Sequence, residues 1–273
     1  MPVSQLKTRL NNGIEMPMLG LGVYDMYGKE AERSVNEALE IGYILIDTAA
    51  MYQNELEVGN VIRRCGIPRE EIFITTKVNN SDQGFDSALR AIDVSLKKLQ
   101  TTYVDLYLVH WPIRGKRKDT WKALERICRE GKAKSIGVAN YLIPFLKELE
   151  TYSEVVPVLN QVEFSPFLFL SDLLEYCQQN AIQLQAYSPL VRGKKLNDPR
   201  LQKLAGKYNK TAAQIILRWD IQHGVSIIPK SSKAERLKEN FNIFDFVLSP
   251  EDMESMNAWH DGFRVVEDPM DYW

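Results

Sequence analysis

The sequence predicts an α/β protein built as one (β/α)8 barrel, a TIM barrel, across residues 1–273. Eight short apolar runs recur along the chain, with segments of helical periodicity between them. The runs are continuous rather than alternating, which suits parallel strands covered on both faces. Eight strand–helix units also match the roughly 250 residues typical of such a barrel. The competing architecture is a doubly wound sheet, whose first turn carries Gly-x-Gly-x-x-Gly. Gly20-Leu21-Gly22 begins that pattern, but Asp25 stands where the third glycine belongs.

The first element expected is a hairpin. LKTRLNNGIEMPML alternates around Asn12-Gly13, a strong hairpin signal. It is expected to close the bottom of the barrel. The eight strands are expected at 19–23, 43–46, 72–76, 103–109, 135–138, 156–159, 182–186 and 225–228. Val35, Ala38 and Leu39 mark one helical stripe, and Phe85, Ala88, Leu89, Ile92, Leu96 and Leu99 another. Thr211-x-x-Gln214 and Ser232-x-x-Glu235 read as capping boxes that open helices. Ser249-Pro250 reads as a cap followed by Pro at the first helical position, and so as an extra C-terminal helix.

Composition excludes several classes of function. A net charge of −2, with Lys and Arg dispersed, gives no footprint for nucleic acid or an acidic membrane. No apolar run approaches the roughly 20 residues needed to span a bilayer. The N-terminus lacks the apolar stretch of a signal peptide. The three cysteines, Cys65, Cys128 and Cys177, are far apart, which argues against a disulfide framework or a zinc cluster. A cytoplasmic protein is expected. Three histidines without metal-ligand spacing predict no metal site.

Barrel active sites lie at the C-terminal ends of the strands. The second strand ends on Asp47, with Tyr52 in the following loop. The third ends at Lys77 and the fourth at His110-Trp111-Pro112. Neighbouring strands are about 4.8 Å apart, so these side chains can converge. An ammonium beside a phenol favours the phenolate and is expected to lower its pKa. A carboxylate holds the ammonium, and a neutral imidazole donates to a substrate oxygen. Such a set suits protonation of an oxyanion developing on a carbonyl. Singly, each residue has a plainer role: Asp47 as a helix cap, Lys77 as a solvated loop residue, His110 as a structural histidine. A hydrolase or isomerase using Asp47 and His110 as acid and base fits the same residues.

GYILIDTAAMYQNE, IFITTKV, YVDLYLVHWP, GKAKSIGVANY, LNQVEFSP, LQAYSPL and SIIPKSSKAERLKEN follow one another from about residue 14 to about residue 245. In this order they resemble the aldo-keto reductases, NADPH-dependent barrel oxidoreductases acting on CH–OH donors. The resemblance implies a catalytic tetrad of Asp47, Tyr52, Lys77 and His110. In it Tyr52 is the general acid, tuned by Lys77 and Asp47, and His110 orients the carbonyl. It implies that NADPH/NADP+ lies extended across the barrel mouth. Asn140 and Gln161 would hold the carboxamide, Tyr187 would stack on the nicotinamide, and Ser188 and Leu190 would line the pyrophosphate path. Lys230, Ser231, Ser232 and Arg236 would take the 2′-phosphate, Glu239 and Asn240 the adenine, and Gly22 and Val23 further cofactor contacts. A helix N-terminus at Ser232 would add to the phosphate site. Tyr24, Asn79, His110 and Trp111 are the expected substrate pocket.

Several positions depart from the family pattern. Ala139 replaces a serine, at a cost of about 0.5–1.5 kcal/mol for one lost hydrogen bond. Val191 replaces a frequent glycine, and Tyr24 and Asn79 replace tryptophans. The loop at 113–118 and the tail after Trp259 are short. Small or polar carbonyls are therefore expected as substrates: aldehydes, ketoaldehydes such as methylglyoxal, and diketo-sugar acids. A monomer is expected. The family also includes channel subunits and lens crystallins, so an NADPH-binding regulatory or structural protein is the alternative.

Overall fold

The computed structural model describes residues 6–272. Two short strands, β1 (Lys7–Arg9) and β2 (Glu15–Pro17), pair antiparallel. Gly13, at φ 85°, supplies the left-handed residue that their connection needs. Eight parallel strands follow in sequential order: β3 (Leu21–Gly22), β4 (Leu45–Asp47), β5 (Phe73–Val78), β6 (Val104–Val109), β7 (Ala133–Ala139), β8 (Leu159–Glu163), β9 (Gln183–Tyr187) and β10 (Ser226–Ile227). The sheet closes on itself where Leu19 bridges Ile227 in parallel. There Gly20 N–H donates to Ile227 O at 2.9 Å, and Ile227 N–H donates to Met18 O at 2.8 Å. Gly22 is required by this closure, because a Cβ on it would lie 2.7 Å from Ile228 O.

Helices α1 (Gly28–Ile41), α2 (Glu55–Arg64), α3 (Phe85–Leu99), α4 (Arg117–Arg129), α5 (Ile143–Glu150) and α6 (Ser171–Gln179) each follow one strand, from β3 to β8. Two helices, α7 (Pro199–Tyr208) and α8 (Ala212–Gln222), join β9 to β10. Then come α9 (Ala234–Phe241) and the additional α10 (Pro250–Asn257). The helices from α1 to α4 pack in succession, as do those from α7 to α9, and α1 meets α9. Among the described residues no helix is long and apolar enough to cross a membrane.

Strand alternation sorts the core into two layers. Along β6, Leu106 and Leu108 point inward to join Leu45, Phe73 and Leu159. Tyr107 and Val109 point outward into the layer under the helices. Leu10 and Met16 of the hairpin join the inner layer. Asn11 Nδ2 donates to Pro157 O and Ala181 O, and Asn12 Nδ2 to Lys134 O and Ser135 Oγ. These partners lie at the starts of β7, β8 and β9, so the hairpin does close the bottom.

Seven of the expected strands overlap their observed strand well, but the sixth meets it only at Leu159. Pro157 has no N–H to give to a ladder, and Val155 and Val156 are 47% and 52% exposed. The apolar run was thus a loop, and the strand is the more polar Leu-Asn-Gln-Val-Glu that follows. Phe85 is exposed at the first position of α3, outside the buried stripe. The Thr211 capping box is present with both of its hydrogen bonds, and Ser249 caps α10 through Asp252 N–H. The box expected at Ser232 is absent. Lys233 occupies the N-cap of α9 without a side-chain bond, since its ammonium cannot accept one, and the Ser231 hydroxyl accepts the Lys233 N–H in a tight local turn.

Candidate active site

The inward alternation of β6 continues past its end, so Leu106, Leu108 and then His110 face one interior. Lys77 pairs with Leu108 and Asp47 with Thr75 in the ladder, so both share that inner face. Three neighbouring strands therefore deliver a carboxylate, an ammonium and an imidazole to one end of the barrel. Tyr52 arrives from the 3-10 turn Ala50–Tyr52 after β4.

Lys77 is wholly buried, and its ammonium is the hub. Nζ donates to Asp47 Oδ1 at 2.6 Å, to Thr48 O at 3.0 Å and to Tyr52 OH at 3.4 Å. The Tyr52 ring stands edge-on to His110, with centroids 5.6 Å apart, and edge-on to Tyr24 at 5.1 Å. The other oxygen of Asp47 accepts from Gln161 Nε2 at 2.7 Å. That second bond fixes the carboxylate plane, so the carboxylate can hold Lys77 without swinging.

Burial holds the His110 imidazole well below its ordinary value of 6.5, and the Lys77 charge adds to the effect. The ring is neutral at physiological pH, and its buried Nδ1 has no hydrogen-bond partner among the described residues. Burial also draws the Asp47 carboxyl upward and the Lys77 ammonium downward, while their mutual attraction opposes both shifts. The expected lowering of the Tyr52 pKa is not found. Burial, then Asp47 and then Tyr24 push the phenol well above 10.0. Lys77 does not reverse this because Asp47 neutralises it at close range, leaving desolvation to dominate.

Around this centre lie the other residues expected at the mouth. Asn140, at φ 65° just past β7, donates from Nδ2 to His110 O at 2.9 Å and accepts from Tyr187 OH at 2.8 Å. Gln161 spends its amide hydrogens on Asp47 and on Gln185 Oε1 at 2.8 Å. The two amides and Tyr187 are thus brought together with the tetrad. Ser188 and Leu190 follow β9, half-buried. Trp111 lies under Tyr272 of the tail, with centroids 5.0 Å apart. Tyr24 is 50% exposed beside Tyr52. The Val23 side chain is fully buried in the outer core layer, while its backbone, just past β3, donates its N–H to Asp47 O at 3.1 Å. Asn79 lines a separate cavity of about 600 Å³ with Gln53, Glu55 and Lys98.

The segment from Lys230 to Asn240 forms a second cluster where β10 runs into α9. Lys230 and Arg236 are exposed, and Lys230 Nζ donates to Asp25 O at 3.1 Å. Ser231 is buried, and Ser232 is half-buried beside it. Glu239 already accepts from Thr211 Oγ1 at 2.6 Å, and Asn240 is buried. Among the described residues no group of three His, Cys, Asp or Glu could hold a metal ion.

Three residues near the site were missed. Gln185 completes the Asp47–Gln161 chain and leaves its own Nε2 buried without a partner. Glu163, at the end of β8, accepts from Val265 N–H at 2.7 Å and Val266 N–H at 3.2 Å, which ties the tail to the rim. Burial raises its carboxyl against these bonds. Arg192 stands 5.8 Å over the Tyr24 ring.

Residues 18–261 match the family model described as aldo/keto reductase family. The glyoxal reductase of Bacillus subtilis is 50% identical over 271 residues, covering 98% of each chain. An aldo-keto reductase from a Medee basin deep-sea metagenome superposes with a TM-score of 0.93 at 43% identity, covering 96% of this chain and 97% of that one. A Bombyx mori aldo-keto reductase solved in complex with NADP gives 0.92 at 35% identity, covering 97% and 96%. With three polar residues on successive strand ends and Tyr52 in the loop between them, a barrel closed at Leu19 and Ile227, and likeness along nearly its full length, the chain belongs to the aldo/keto reductase family.

Proposed function

We propose that the protein is an NADPH-dependent reductase of small aldehydes and ketones, with Tyr52 as the proton donor. One observation carries the reading. Lys77 Nζ reaches both Asp47 Oδ1 at 2.6 Å and the Tyr52 hydroxyl at 3.4 Å, beside a neutral His110. A high phenol pKa is compatible with this role. Tyr52 stays protonated at neutral pH and yields its proton only to a stronger base, such as an oxygen developing alkoxide character. The Lys77 ammonium then stabilises the phenolate left behind. The imidazole of His110 donates to the carbonyl oxygen and holds it towards Tyr52.

The residues present fit a nicotinamide dinucleotide. Asn140, Gln161 and Tyr187 would hold the nicotinamide end, and the orphaned Gln185 amide offers a further buried donor nearby. Lys230, Ser231, Ser232 and Arg236 would take a 2′-phosphate, with two exposed cations flanking two hydroxyls. When bound, the reduced nicotinamide supplies hydride to the carbonyl carbon. Short loops around Trp111 leave little wall for a large apolar substrate. This favours small ketoaldehydes, in keeping with the glyoxal reductase relative.

The test is NADPH oxidation followed by absorbance with methylglyoxal and 4-nitrobenzaldehyde. Removing a general acid costs about 100-fold or more in turnover, so Tyr52→Phe should lose activity while still quenching on NADPH addition. Full turnover by Tyr52→Phe would sink the tetrad assignment. NADPH binding without turnover in the wild type would favour a regulatory or structural protein.

A further inference from the structure

We propose that Arg192 is a specificity-determining residue: its guanidinium, laid over Tyr24 at the mouth, receives the carboxylate of carbonyl substrates that carry one. The proposal rests on the reductase reading and names the substrate class that the site prefers.

Arg192 lies in the 3-10 turn Val191–Gly193 after β9, yet its contact is with Tyr24, in the loop after β3. The side chain therefore reaches over β10. Tyr24 stands against Tyr52 at 5.1 Å, so only one ring separates the guanidinium from the proton donor. The backbone that presents it is strained. Ser188, Val191 and Arg192 all have positive φ, at 47°, 45° and 53°. This region is unfavourable above all for β-branched valine. Full burial of Val191 holds the turn in that conformation. The placement of Arg192 is thus enforced by packing.

The charges around it leave this guanidinium free. Glu163, Tyr187 and Tyr24 are the groups that face it, and Arg264 acts on the same Glu163 and Tyr187. Glu163 is held by the tail N–H groups of Val265 and Val266, and Arg264 pairs with Asp268 at 3.5 Å. Among the described residues Arg192 makes no hydrogen bond or ion pair, although it is exposed at the mouth. Its planar fork matches a carboxylate in two parallel hydrogen bonds. Resting on an aromatic face, it loses less freedom on binding than a solvated arginine would.

The experiment compares 4-carboxybenzaldehyde with 4-nitrobenzaldehyde, rigid aldehydes of similar shape that differ in charge. The ratio of their kcat/KM values is measured for wild type, Arg192→Gln and Arg192→Lys, with NADPH affinity followed by fluorescence. Loss of a charged hydrogen bond at an exposed site predicts that Arg192→Gln lowers the carboxylate-to-nitro ratio about tenfold. Arg192→Lys should recover part of it, and added salt should lower the wild-type ratio. An unchanged ratio in Arg192→Gln overturns the proposal. So does an equal loss for both aldehydes with weaker NADPH binding, which would assign the guanidinium to the cofactor pyrophosphate. A wild type that reduces neither aldehyde removes the reductase reading and this proposal together, whereas turnover with a constant ratio removes the proposal alone.

Discussion

Lys77 shows how a single residue takes its meaning from its surroundings. Its side chain has no solvent exposure, and removing either member of a buried ion pair typically costs about 3–5 kcal/mol. Asp220 is the opposite case. It is fully buried in α8, both carboxylate oxygens lack hydrogen-bond partners, and burial raises its carboxyl well above 3.8. The folded state therefore keeps a proton that the unfolded chain gives up above pH 3.8. Stability from this group is complete below that value and is lost as pH rises towards the folded pKa. Asp220→Asn should flatten that loss and raise stability at pH 7 relative to wild type. Urea denaturation of both proteins between pH 4 and pH 7 would test this, and a variant no more stable at pH 7 would contradict it. Three candidate members of the tetrad, Asp47, Lys77 and His110, were readable because each ends an apolar run, and Tyr52 because it follows Asp47 in the next loop. The direction of the Tyr52 shift was not readable, since it depends on how closely Asp47 neutralises Lys77 and how much water is excluded.

At the level of elements, two capping boxes with the same sequence signature met different fates. Thr211 caps α8 and also donates to Glu239 of α9, so one hydroxyl serves two helices. Ser232 caps nothing, because α9 begins one residue later, with Lys233 at its N-cap. Thr211→Ala should therefore cost about 1 kcal/mol or somewhat more. Ser232→Ala should change stability by less than about 0.5 kcal/mol, as surface substitutions usually do. Thermal melts of the two variants side by side separate them, and equal losses would restore the expected cap. Strand β8 teaches the complementary lesson. Its polar residues, Gln161 and Glu163 on one face and Asn160 on the other, hid it from a search for apolar runs, although all three side chains are buried. These residues are polar because they serve the mouth and its surroundings: Asn160 holds Tyr141 O, Gln161 holds Asp47, and Glu163 holds the tail.

For the whole molecule, closure is the decisive event. The first strand must meet the last, and the approach is so tight that only glycine fits at position 22. Gly22→Ala would place a methyl group 2.7 Å from Ile228 O. Overpacking of this kind costs about 1–3 kcal/mol, and differential scanning calorimetry should register a lower Tm. A Tm within experimental error of wild type would show that β3 can move away from β10. Closure also has a functional consequence, because it brings Tyr24 and Lys230, from the two ends of the sheet, to the same part of the rim. The tail completes the enclosure, with Val265 and Val266 on Glu163 and Tyr272 on Trp111.

The sequence by itself determined the strand–helix alternation, the hairpin, two of three helix caps and the four candidate residues of the proposed tetrad. These are local signals: periodicity, turn chemistry, and a polar residue ending an apolar run. Only the tertiary structure decided where β8 begins, that Val23 is core, that Gln185 completes the Asp47–Gln161 chain, and that Arg192 faces Tyr24. Each of these depends on groups far apart in the chain. Their energies come from desolvation and close packing, which exist only once the barrel has closed.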